Sequence, residues 1–283
     1  MHSSDAMPEP KEAAITAVDS HAHVFVRGLP LAPKPRHAPD YDATLDDYLA
    51  LLDGHGLSHA VLVQPSFLGT DNSFLIEALR AHPSRLRGVA VVEPSIGDDA
   101  LRALDQAGIC GIRLNLVGLP IPELESPPWR DLLARVRALD WHVELHLESQ
   151  HLQRAAEPVL EAGCKLVVDH FGRPAKADEV PAAWLAAAAA DGRTWVKLSG
   201  AYRNWCDPSG PQARAMATRL LGMLGAGRLL WGSDWPHTQH RDQVDYRAAL
   251  AALADWVPDA DTRHRILADN PAQLFRFSVG DPS

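Results

Sequence analysis

Two histidines separated by one residue, His21 and His23, follow an apolar segment near the start of the chain. On a β-strand, residues two apart point to the same face, so these imidazoles would lie side by side. Imidazole is the commonest metal ligand in proteins and the usual acid–base group near neutral pH. The pair therefore indicates a metal site or acid–base chemistry, provided that other reactive groups meet it.

Further reactive side chains recur where later apolar segments end. They are Ser66, Arg113, His146, His170, Arg173, Arg203 and Asp234. Each has an ordinary structural explanation: Asp234 could cap a helix, His146 could be a hydrogen-bonded core residue, and Arg113 could be half of an interior ion pair. Buried polar groups cost free energy unless they are paired, however. The convergence of all these groups on one place would therefore predict an active site.

The elements that must position these residues alternate between apolar strands and helices along the whole chain. The candidate strands are 15–19, 59–64, 86–92, 111–116, 142–148, 165–170, 194–199 and 228–234. Helix signals lie between them, such as Thr44 before Asp47 and Ser126 before Pro127. Strands that alternate with helices imply parallel βαβ units, so we expect an α/β fold, a single-domain (β/α)8 TIM barrel. A doubly wound sheet is the alternative, but no Gly-x-Gly-x-x-Gly follows a strand.

The domain organisation follows from the same pattern. We expect residues 1–14 to form a flexible N-terminal tail and residues 15–283 to form the barrel. The proline-rich stretch 30–39 lies between the first strand and the first helix. It is therefore predicted to be a long loop on the face where barrel enzymes carry out their chemistry.

Composition narrows the function classes. The formal net charge of −9 argues against nucleic-acid binding, because phosphate contacts need clustered Lys and Arg. No apolar run reaches the roughly 18 residues needed to span a bilayer, so no membrane association is expected. Three cysteines make no disulfide framework in a chain of 283 residues. We expect a cytoplasmic protein, a monomer or small homo-oligomer.

Several motifs in combination resemble those of the amidohydrolase superfamily, and within it the lactonases of amidohydrolase-2 type. The motifs are His-Ala-His at 21–23, Gln-Pro-Ser-Phe-Leu-Gly-Thr-Asp-Asn at 64–72, Asp-His-Phe-Gly-Arg at 169–173, Trp-Gly-Ser-Asp-Trp-Pro-His at 231–237 and Ala-Asp-Asn-Pro-Ala-Gln-Leu-Phe at 268–275. The resemblance extends from about residue 18 to residue 275, which is nearly the whole chain.

The resemblance implies a hydrolase that opens a small anionic lactone of the 2-pyrone-4,6-dicarboxylate kind, in the breakdown of aromatic or sugar acids. Asp234 would be the general base that takes a proton from water. The lactone carbonyl would be polarised by His21, His23 and His170. Substrate binding would involve Arg113, Arg173, Arg203, Ser66 and His146. Guanidinium groups hold carboxylates bidentately, so an acidic protein that aims several of them into one cavity selects an anion.

Two differences from those lactonases concern the metal and the substrate. The lactonases have a second arginine shortly after the one on the fourth strand, where this chain reads Val-Gly-Leu-Pro at 117–120. They have a tyrosine where this chain has His146, which makes a single divalent metal such as zinc a possible cofactor. Its ligands would be His21, His23, His146 and Asp234. No lysine lies on the fourth or fifth strand, which argues against a two-metal site with a carbamylated lysine, and we favour a reaction without a cofactor.

Other functions fit the same residues. A zinc-dependent decarboxylase of the same superfamily would use the histidines and Asp234 as ligands and the arginines to hold the carboxylate that leaves. A hydrolase of a sugar-acid lactone, of another ester or of an amide would use the same base. A barrel that only binds a ligand is the third class, but it would have no need for a base beside a cluster of imidazoles. Product analysis separates these alternatives, since only the decarboxylase releases carbon dioxide.

Overall fold

The structure, a computed structural model, describes residues 14–174, 176, 183–205, 207 and 209–277. The predicted N-terminal tail lies outside the described residues except for residue 14. One sheet contains eight parallel strands in chain order. They are β1 Val18–Ala22, β2 His59–Val63, β3 Leu86–Ala90, β4 Ile109–Asn115, β5 His142–His146, β6 Lys165–Val168, β7 Thr194–Leu198 and β8 Leu229–Trp231.

Among the described residues, one α-helix lies between each pair of successive strands, and three follow β8. The helices are α1 Leu45–Gly54, α2 Ser73–Ala81, α3 Asp98–Gln106, α4 Pro127–Ala138, α5 Ser149–Glu161, α6 Ala183–Ala190, α7 Pro211–Leu224, α8 Tyr246–Trp256, α9 Ala260–His264 and α10 Asn270–Leu274. The predicted caps of the first and fourth helices are present: Thr44 accepts from Asp47 N at 3.1 Å, and Ser126 precedes Pro127. None of the helices in the described ranges is both long enough and apolar enough to cross a membrane.

Backbone hydrogen bonds bring the first and last strands together. Asp234 N donates to His21 O at 2.8 Å, and His23 N donates to Trp235 O at 2.8 Å. The sheet is thereby drawn into a nearly closed barrel, and the predicted α/β class and (β/α)8 architecture are confirmed. These two bonds also fix the first-strand histidines beside the segment that carries Asp234.

The first strand lies three residues further along the chain than predicted. It covers Val18–Ala22 rather than 15–19, and all five of its residues are buried. A prediction based on apolar runs does not find the correct bounds of β1, because three consecutive residues of this strand, Asp19, Ser20 and His21, are polar. The shift places His21 within the strand and His23 immediately after it.

The interior of the barrel has two contrasting halves. Its amino-terminal half is filled by apolar side chains from several strands together with Phe275 and Phe277 from the end of the chain. A larger apolar cluster packs the strands against the helices. The polar side chains collect in the other half, at the carboxyl ends of the strands, where barrel enzymes place their active sites.

The loop between β1 and α1 is long, as predicted, and it folds back over the carboxyl end of the barrel. Phe25 and Ala43 pair as an antiparallel bridge at its base. Further along, Ala32 N donates to Phe67 O at 2.8 Å, which attaches the loop to the segment after β2. The loop is therefore held in place by backbone hydrogen bonds and forms part of the wall around the mouth of the barrel.

Candidate active site

A cavity of about 270 Å³ opens at the carboxyl ends of the strands. Its lining includes eight of the nine predicted site residues: His23, Ser66, Arg113, His146, His170, Arg173, Arg203 and Asp234. The ninth, His21, is fully buried behind the cavity wall, with its Nε2 atom 3.8 Å from Asp234 Oδ1. The fold therefore brings all nine residues to one place.

Asp234 is buried and has one oxygen occupied and one free. Its Oδ2 accepts hydrogen bonds from Tyr202 Oη at 2.6 Å and from Arg203 Nε at 2.5 Å. Burial alone would raise the pKa of Asp234, but the charge of Arg203 and its hydrogen bond hold the pKa well below 3.8. Its Oδ1 accepts no hydrogen bond from any described residue. Asp234 is thus an ionised carboxylate that offers one oxygen to a ligand.

The ring orientation of His23 is set by the backbone of the neighbouring strand. Its Nδ1 lies 2.7 Å from Val63 O, and a carbonyl oxygen only accepts, so the proton is on Nδ1. Burial, helped by the charge of Arg113, lowers the pKa of His23 to about 4. Near pH 7 its Nε2 therefore carries a lone pair, and that atom lies 3.8 Å from Asp234 Oδ1.

A lysine that the sequence analysis did not identify sets the tautomer of His21. Lys197, fully buried on β7, has its Nζ atom 3.1 Å from His21 Nδ1. Asp169 Oδ1 lies 3.3 Å from the same nitrogen, but only the lysine meets it with hydrogen-bond geometry. An ammonium group only donates, so His21 Nδ1 accepts and Nε2 carries the proton. Burial is the main cause that lowers the pKa of His21 well below 6.5.

Lys197 belongs to a group of four charged residues beneath the cavity, which we call the floor cluster: Arg113, Glu144, Asp169 and Lys197. Lys197 Nζ contacts Glu144 Oε2 and lies 3.5 Å from Asp169 Oδ1. Arg113 pairs with Asp169 at 2.7 Å and with Glu144 at 3.1 Å. All four side chains are at most 3% exposed. Two buried cations thus balance two buried carboxylates.

Arg113 connects the floor cluster with the cavity. Its Nη2 also lies 3.2 Å from His146 Nδ1, which must accept because a guanidinium only donates. His146 therefore presents a protonated Nε2, and that atom has no hydrogen-bond partner among the described residues. Arg113 keeps its Nη1 edge for a ligand, since its hydrogen bonds with the described residues use Nε and Nη2.

The backbone is strained at the residues that line the site. Asp234, His170 and Arg173 have φ of 61°, 51° and 50°, a region that non-glycine residues rarely adopt and that costs of order 1–3 kcal/mol each. Gly200, also at positive φ, lies so close that an added Cβ would be 2.8 Å from both Asp234 Oδ2 and His170 Nδ1. Strain concentrated around one cavity indicates that the surrounding structure maintains a functional geometry.

A second buried carboxylate, Asp19, holds β1 against β8. It accepts hydrogen bonds from Tyr48 Oη at 2.9 Å, Tyr246 Oη at 3.1 Å and Ser233 N at 2.8 Å. Ser233 is the residue before Asp234, so Asp19 links the strand of the two histidines to the segment of the base. Its position two residues before His21 was the sequence signal that it faces the same side of the strand.

The structure contains groups of residues that could hold a metal ion. Three sets have ligand atoms within 4.8 Å of one another: His21, His170 and Asp234; His146, Asp169 and His170; and His21, Glu144 and Asp169. His23, one of the four ligands predicted from the sequence, belongs to none of these sets. The carboxylates of Asp169 and Glu144 are already bound by Arg113 and Lys197.

Known proteins with sequences similar to this chain include lactone hydrolases. A 4-sulfomuconolactone hydrolase from Rhizobium radiobacter is 33% identical over 92% of this chain and 89% of that protein. A 2-pyrone-4,6-dicarboxylate hydrolase from Comamonas testosteroni is 30% identical over 92% of this chain and 90% of that protein. A crystal structure of a probable 2-pyrone-4,6-dicarboxylic acid hydrolase from Acinetobacter baumannii, with citric acid bound, superposes with a TM-score of 0.88 at 37% identity, covering 93% of this chain and 100% of that one.

The decarboxylase alternative receives only distant support. A 2,6-dihydroxybenzoate decarboxylase from Rhizobium shares 15% identity with a TM-score of 0.65, over 93% of this chain and 98% of that chain, which shows a common fold alone. The sequence model of the family described as Amidohydrolase, in contrast, matches residues 18–277. This range contains all eight strands and all nine predicted site residues. The chain is a member of this amidohydrolase family.

Proposed function

We propose that this enzyme hydrolyses a small anionic lactone of the 2-pyrone-4,6-dicarboxylate type, with water as the nucleophile. The observation that carries the proposal is the pair formed by Asp234 Oδ1 and His23 Nε2, 3.8 Å apart. Both atoms are hydrogen-bond acceptors, so neither can satisfy the other. A water molecule between them would donate a proton to each, which orients its oxygen lone pair for attack.

The reaction follows from this arrangement. The water oxygen attacks the lactone carbonyl carbon while its proton moves to Asp234 Oδ1. The negative charge that develops on the carbonyl oxygen would be stabilised by His21 Nε2–H. His170 would assist: when Ser199 Oγ, 2.9 Å away, donates to its Nδ1, His170 also presents Nε2–H. The ring C–O bond then breaks, and the departing oxygen takes the proton from Asp234.

This assignment gives the histidines two different tasks. His23 receives a hydrogen bond from water, whereas His21 donates one to the carbonyl oxygen. The sequence analysis grouped both residues with His170 as groups that polarise the carbonyl. The hydrogen bond from His23 Nδ1 to Val63 O favours the division, because it leaves no proton on Nε2 near pH 7.

Arg203 acts on the base in this proposal. Its Nε–H is engaged with Asp234 Oδ2, so its charge keeps the carboxylate ionised. An ionised Asp234 is a weak base, so it depends on a polarised carbonyl; its Oδ1, which has no hydrogen-bond partner among the described residues, would take the proton. Substrate carboxylate would then be bound by Arg113 Nη1 and Arg173, with Ser66 at the rim.

We further propose that the reaction proceeds without a metal. Two of the four predicted ligands, His21 and His146, carry a proton on Nε2, because Lys197 and Arg113 donate to their Nδ1 atoms. A protonated nitrogen does not ligate a metal. The third, Asp234, has its charge balanced by Arg203. These residues fit a neutral water better than a divalent cation.

The test is hydrolysis of 2-pyrone-4,6-dicarboxylate by the purified full chain, followed by loss of the ring's ultraviolet absorbance, with and without a chelator. We expect turnover that survives chelation and a product heavier than the substrate by one water. Turnover abolished by chelation and restored by zinc would overturn the metal-free mechanism. Release of carbon dioxide, or hydrolysis of sugar-acid lactones alone, would overturn the substrate assignment.

We also place the enzyme in the cytoplasm. Cys110 and Cys164 are buried free thiols, as expected in a reducing compartment, while Cys206 lies outside the described residues. Burial raises the pKa of both thiols, to about 12 and about 11 respectively, so they are protonated and unreactive. Fractionation of cells that produce the protein would test this placement.

A further inference from the structure

One arginine at the mouth of the cavity comes from the β1–α1 loop and not from a strand end. Arg36 lines the cavity together with Arg113, Arg173 and Arg203. Its Nη1 donates to Val117 O, and its Nη2 donates to Asn115 Oδ1 at 2.5 Å. Both acceptors belong to the end of β4 and the residues after it. The proline-rich loop therefore carries a guanidinium across the mouth and fixes it above the fourth strand.

The four guanidinium groups of the cavity differ in their partners. Arg113 is paired with Asp169 and Glu144, and Arg203 is paired with Asp234. Arg173 donates to the backbone carbonyl of Arg203 at 3.0 Å, and Arg36 donates to one carbonyl and one side-chain amide. Within the described ranges, no carboxylate forms an ion pair with Arg36 or Arg173 at 4.0 Å or less.

The surroundings of these two arginines leave them short of negative charge. The charge of Glu148 acts on both arginines, but Glu148 forms an ion pair with neither, and its Oε1 accepts a hydrogen bond from Gly118 N at 3.1 Å. Burial lowers the pKa of Arg36, and repulsion by Arg113 lowers it further. Cations that repel one another across a small cavity are stabilised when an anion enters between them.

We propose that Arg36 forms a second anion subsite at the mouth of the cavity, so that the enzyme selects substrates with two acidic groups. Arg173 and Arg113 hold the acidic group near the reacting carbonyl, and Arg36 holds the other. Two of the five N–H donors of Arg36 are used by Val117 and Asn115, and three remain for a ligand. The proposal rests on the proposed function for the position of the ring, but the subsite itself is a binding property.

Arg27 provides a matched control on the same loop. Its guanidinium is paired with Asp42, through Nη2 to Oδ2 at 3.1 Å and Nε to Oδ1 at 3.3 Å, and it does not line the cavity. Arg27→Met and Arg36→Met thus remove the same group from one loop. Only the second change removes a guanidinium that has no carboxylate partner among the described residues.

The experiment measures binding by calorimetry of two non-reacting probes, pyridine-2,4-dicarboxylate and pyridine-2-carboxylate. We expect Arg36→Met to weaken binding of the dicarboxylate about 10- to 100-fold, because a hydrogen-bonded charge pair is lost. Binding of the monocarboxylate should change by less than about 3-fold. Arg27→Met should change neither. Equal weakening of both probes, unchanged dicarboxylate binding, or no dicarboxylate binding by the unaltered enzyme would each overturn the subsite.

A second variant tests the proposal in case Arg36→Met disrupts the folding of the loop. Asn115→Ala keeps Arg36 but removes the acceptor that orients it, so it should reduce dicarboxylate binding selectively and by a smaller factor. The thermal midpoint of each variant shows whether it is folded. Arg36-dependent dicarboxylate binding without turnover of any lactone would retain the subsite and overturn the proposed reaction. Normal turnover of 2-pyrone-4,6-dicarboxylate by Arg36→Met, with unchanged KM, would overturn the subsite and retain the reaction.

Discussion

The floor cluster and the mouth of the cavity lie in the same half of one barrel, and both are rich in charge. In the floor cluster each carboxylate meets a cation within the protein, and the four side chains are at most 3% exposed. At the mouth, Asp234 Oδ1 and His146 Nε2 have no hydrogen-bond partner among the described residues, and Arg36 and Arg173 contact neutral groups.

This difference in pairing distinguishes the residues that maintain the structure of the site from the residues that are available to bind a ligand. A buried charge is tolerable only when it is paired, and every charge of the floor cluster forms an ion pair within the protein before any ligand arrives. Unsatisfied groups persist where a ligand completes them, which is the situation at the mouth. The floor cluster then acts through its contacts: Lys197 sets the tautomer of His21, and Arg113 sets that of His146.

The largest effect should follow from removing the base at the mouth. Asp234→Asn keeps the shape of the side chain but cannot accept the proton from water, so we expect kcat to fall about 10³-fold or more. Binding of pyridine-2,4-dicarboxylate should persist, since the arginines remain. Steady-state kinetics and calorimetry check the two parts. Tyr202→Phe, which removes one hydrogen bond to Asp234 Oδ2, is the milder control, with a loss of about 10-fold.

Activity near that of the unaltered enzyme in Asp234→Asn would show that another group takes the proton. In that case the proposed role of the free Oδ1 atom is wrong. Loss of dicarboxylate binding together with turnover would instead make Asp234 a residue that shapes the cavity.

Breaking the floor cluster should affect stability first. Lys197→Met leaves Glu144 and Asp169 without one of their two cations, and removing one partner of a buried pair costs about 3–5 kcal/mol. Lys165→Met on the adjacent strand removes a partner of Asp140 at the surface, where Asp140 is exposed and Lys165 is partly exposed, and should cost about 1 kcal/mol or less. Urea unfolding of both variants measures the contrast. Equal losses would show that burial does not distinguish the two ion pairs.

The same variant also tests the tautomer of His21. In Lys197→Met, Nδ1 loses its donor, and the ring can turn its proton toward Asp169 Oδ1, 3.3 Å away. The folded fraction should therefore show a lower kcat with little change in KM. A variant that loses stability but keeps kcat would limit Lys197 to a structural role.

Much of this arrangement follows from local sequence patterns. Most strands after the first are recognisable as apolar runs, and β5 by its alternation of polar and apolar residues. The reactive residues after the strands are recognisable because strand ends meet at one edge of the barrel. The prediction of His23, His170 and Asp234 as site residues required no knowledge of distant contacts. It required only the position of the strand that each residue follows. The bounds predicted for β1 were wrong. Its polar residue Asp19 is buried because its hydrogen-bond partners, such as Tyr48 and Ser233, lie far away in the sequence.

Lys197 and Arg36 illustrate what local patterns miss. Lys197 stands between Val196 and Leu198, where a lysine is ordinarily solvent-exposed, and its partners lie on β5 and β6. Arg36 lies in a proline-rich loop without periodicity, and its position depends on contacts with Asn115 and Val117. A search along β4 finds no second arginine, yet the fold brings one to the end of that strand. Tertiary contacts of this kind carry no signal in a single sequence.

Arg113 belongs to both regions, so its removal should show both effects. Arg113→Met should raise KM for the dicarboxylate lactone about 10- to 100-fold and also lower the thermal midpoint, because Asp169 loses its 2.7 Å partner. Arg173→Met at the mouth should raise KM without that loss of stability, since Arg173 contacts a carbonyl and not a carboxylate among the described residues. Equal effects of Arg113→Met on neutral and anionic lactones would argue against a role in binding carboxylate.

The smallest expected effect is that of pH between 5 and 8. Asp234 is already ionised because the charge and hydrogen bond of Arg203 outweigh burial and hold its pKa well below 3.8. His23 is already neutral because burial lowers its pKa to about 4, and burial lowers that of His170 to about 3. Protonation of His23 below about pH 4 removes the lone pair that receives water, so kcat/KM should fall there as pH decreases. A flat kcat/KM from pH 8 to 5, with circular dichroism to show that the chain stays folded, would support these assignments. A decline centred near pH 6 to 7 would mean that another group controls the reaction, either an imidazole or Glu144, whose pKa burial raises to about 7, and not the buried pair of His23 and Asp234.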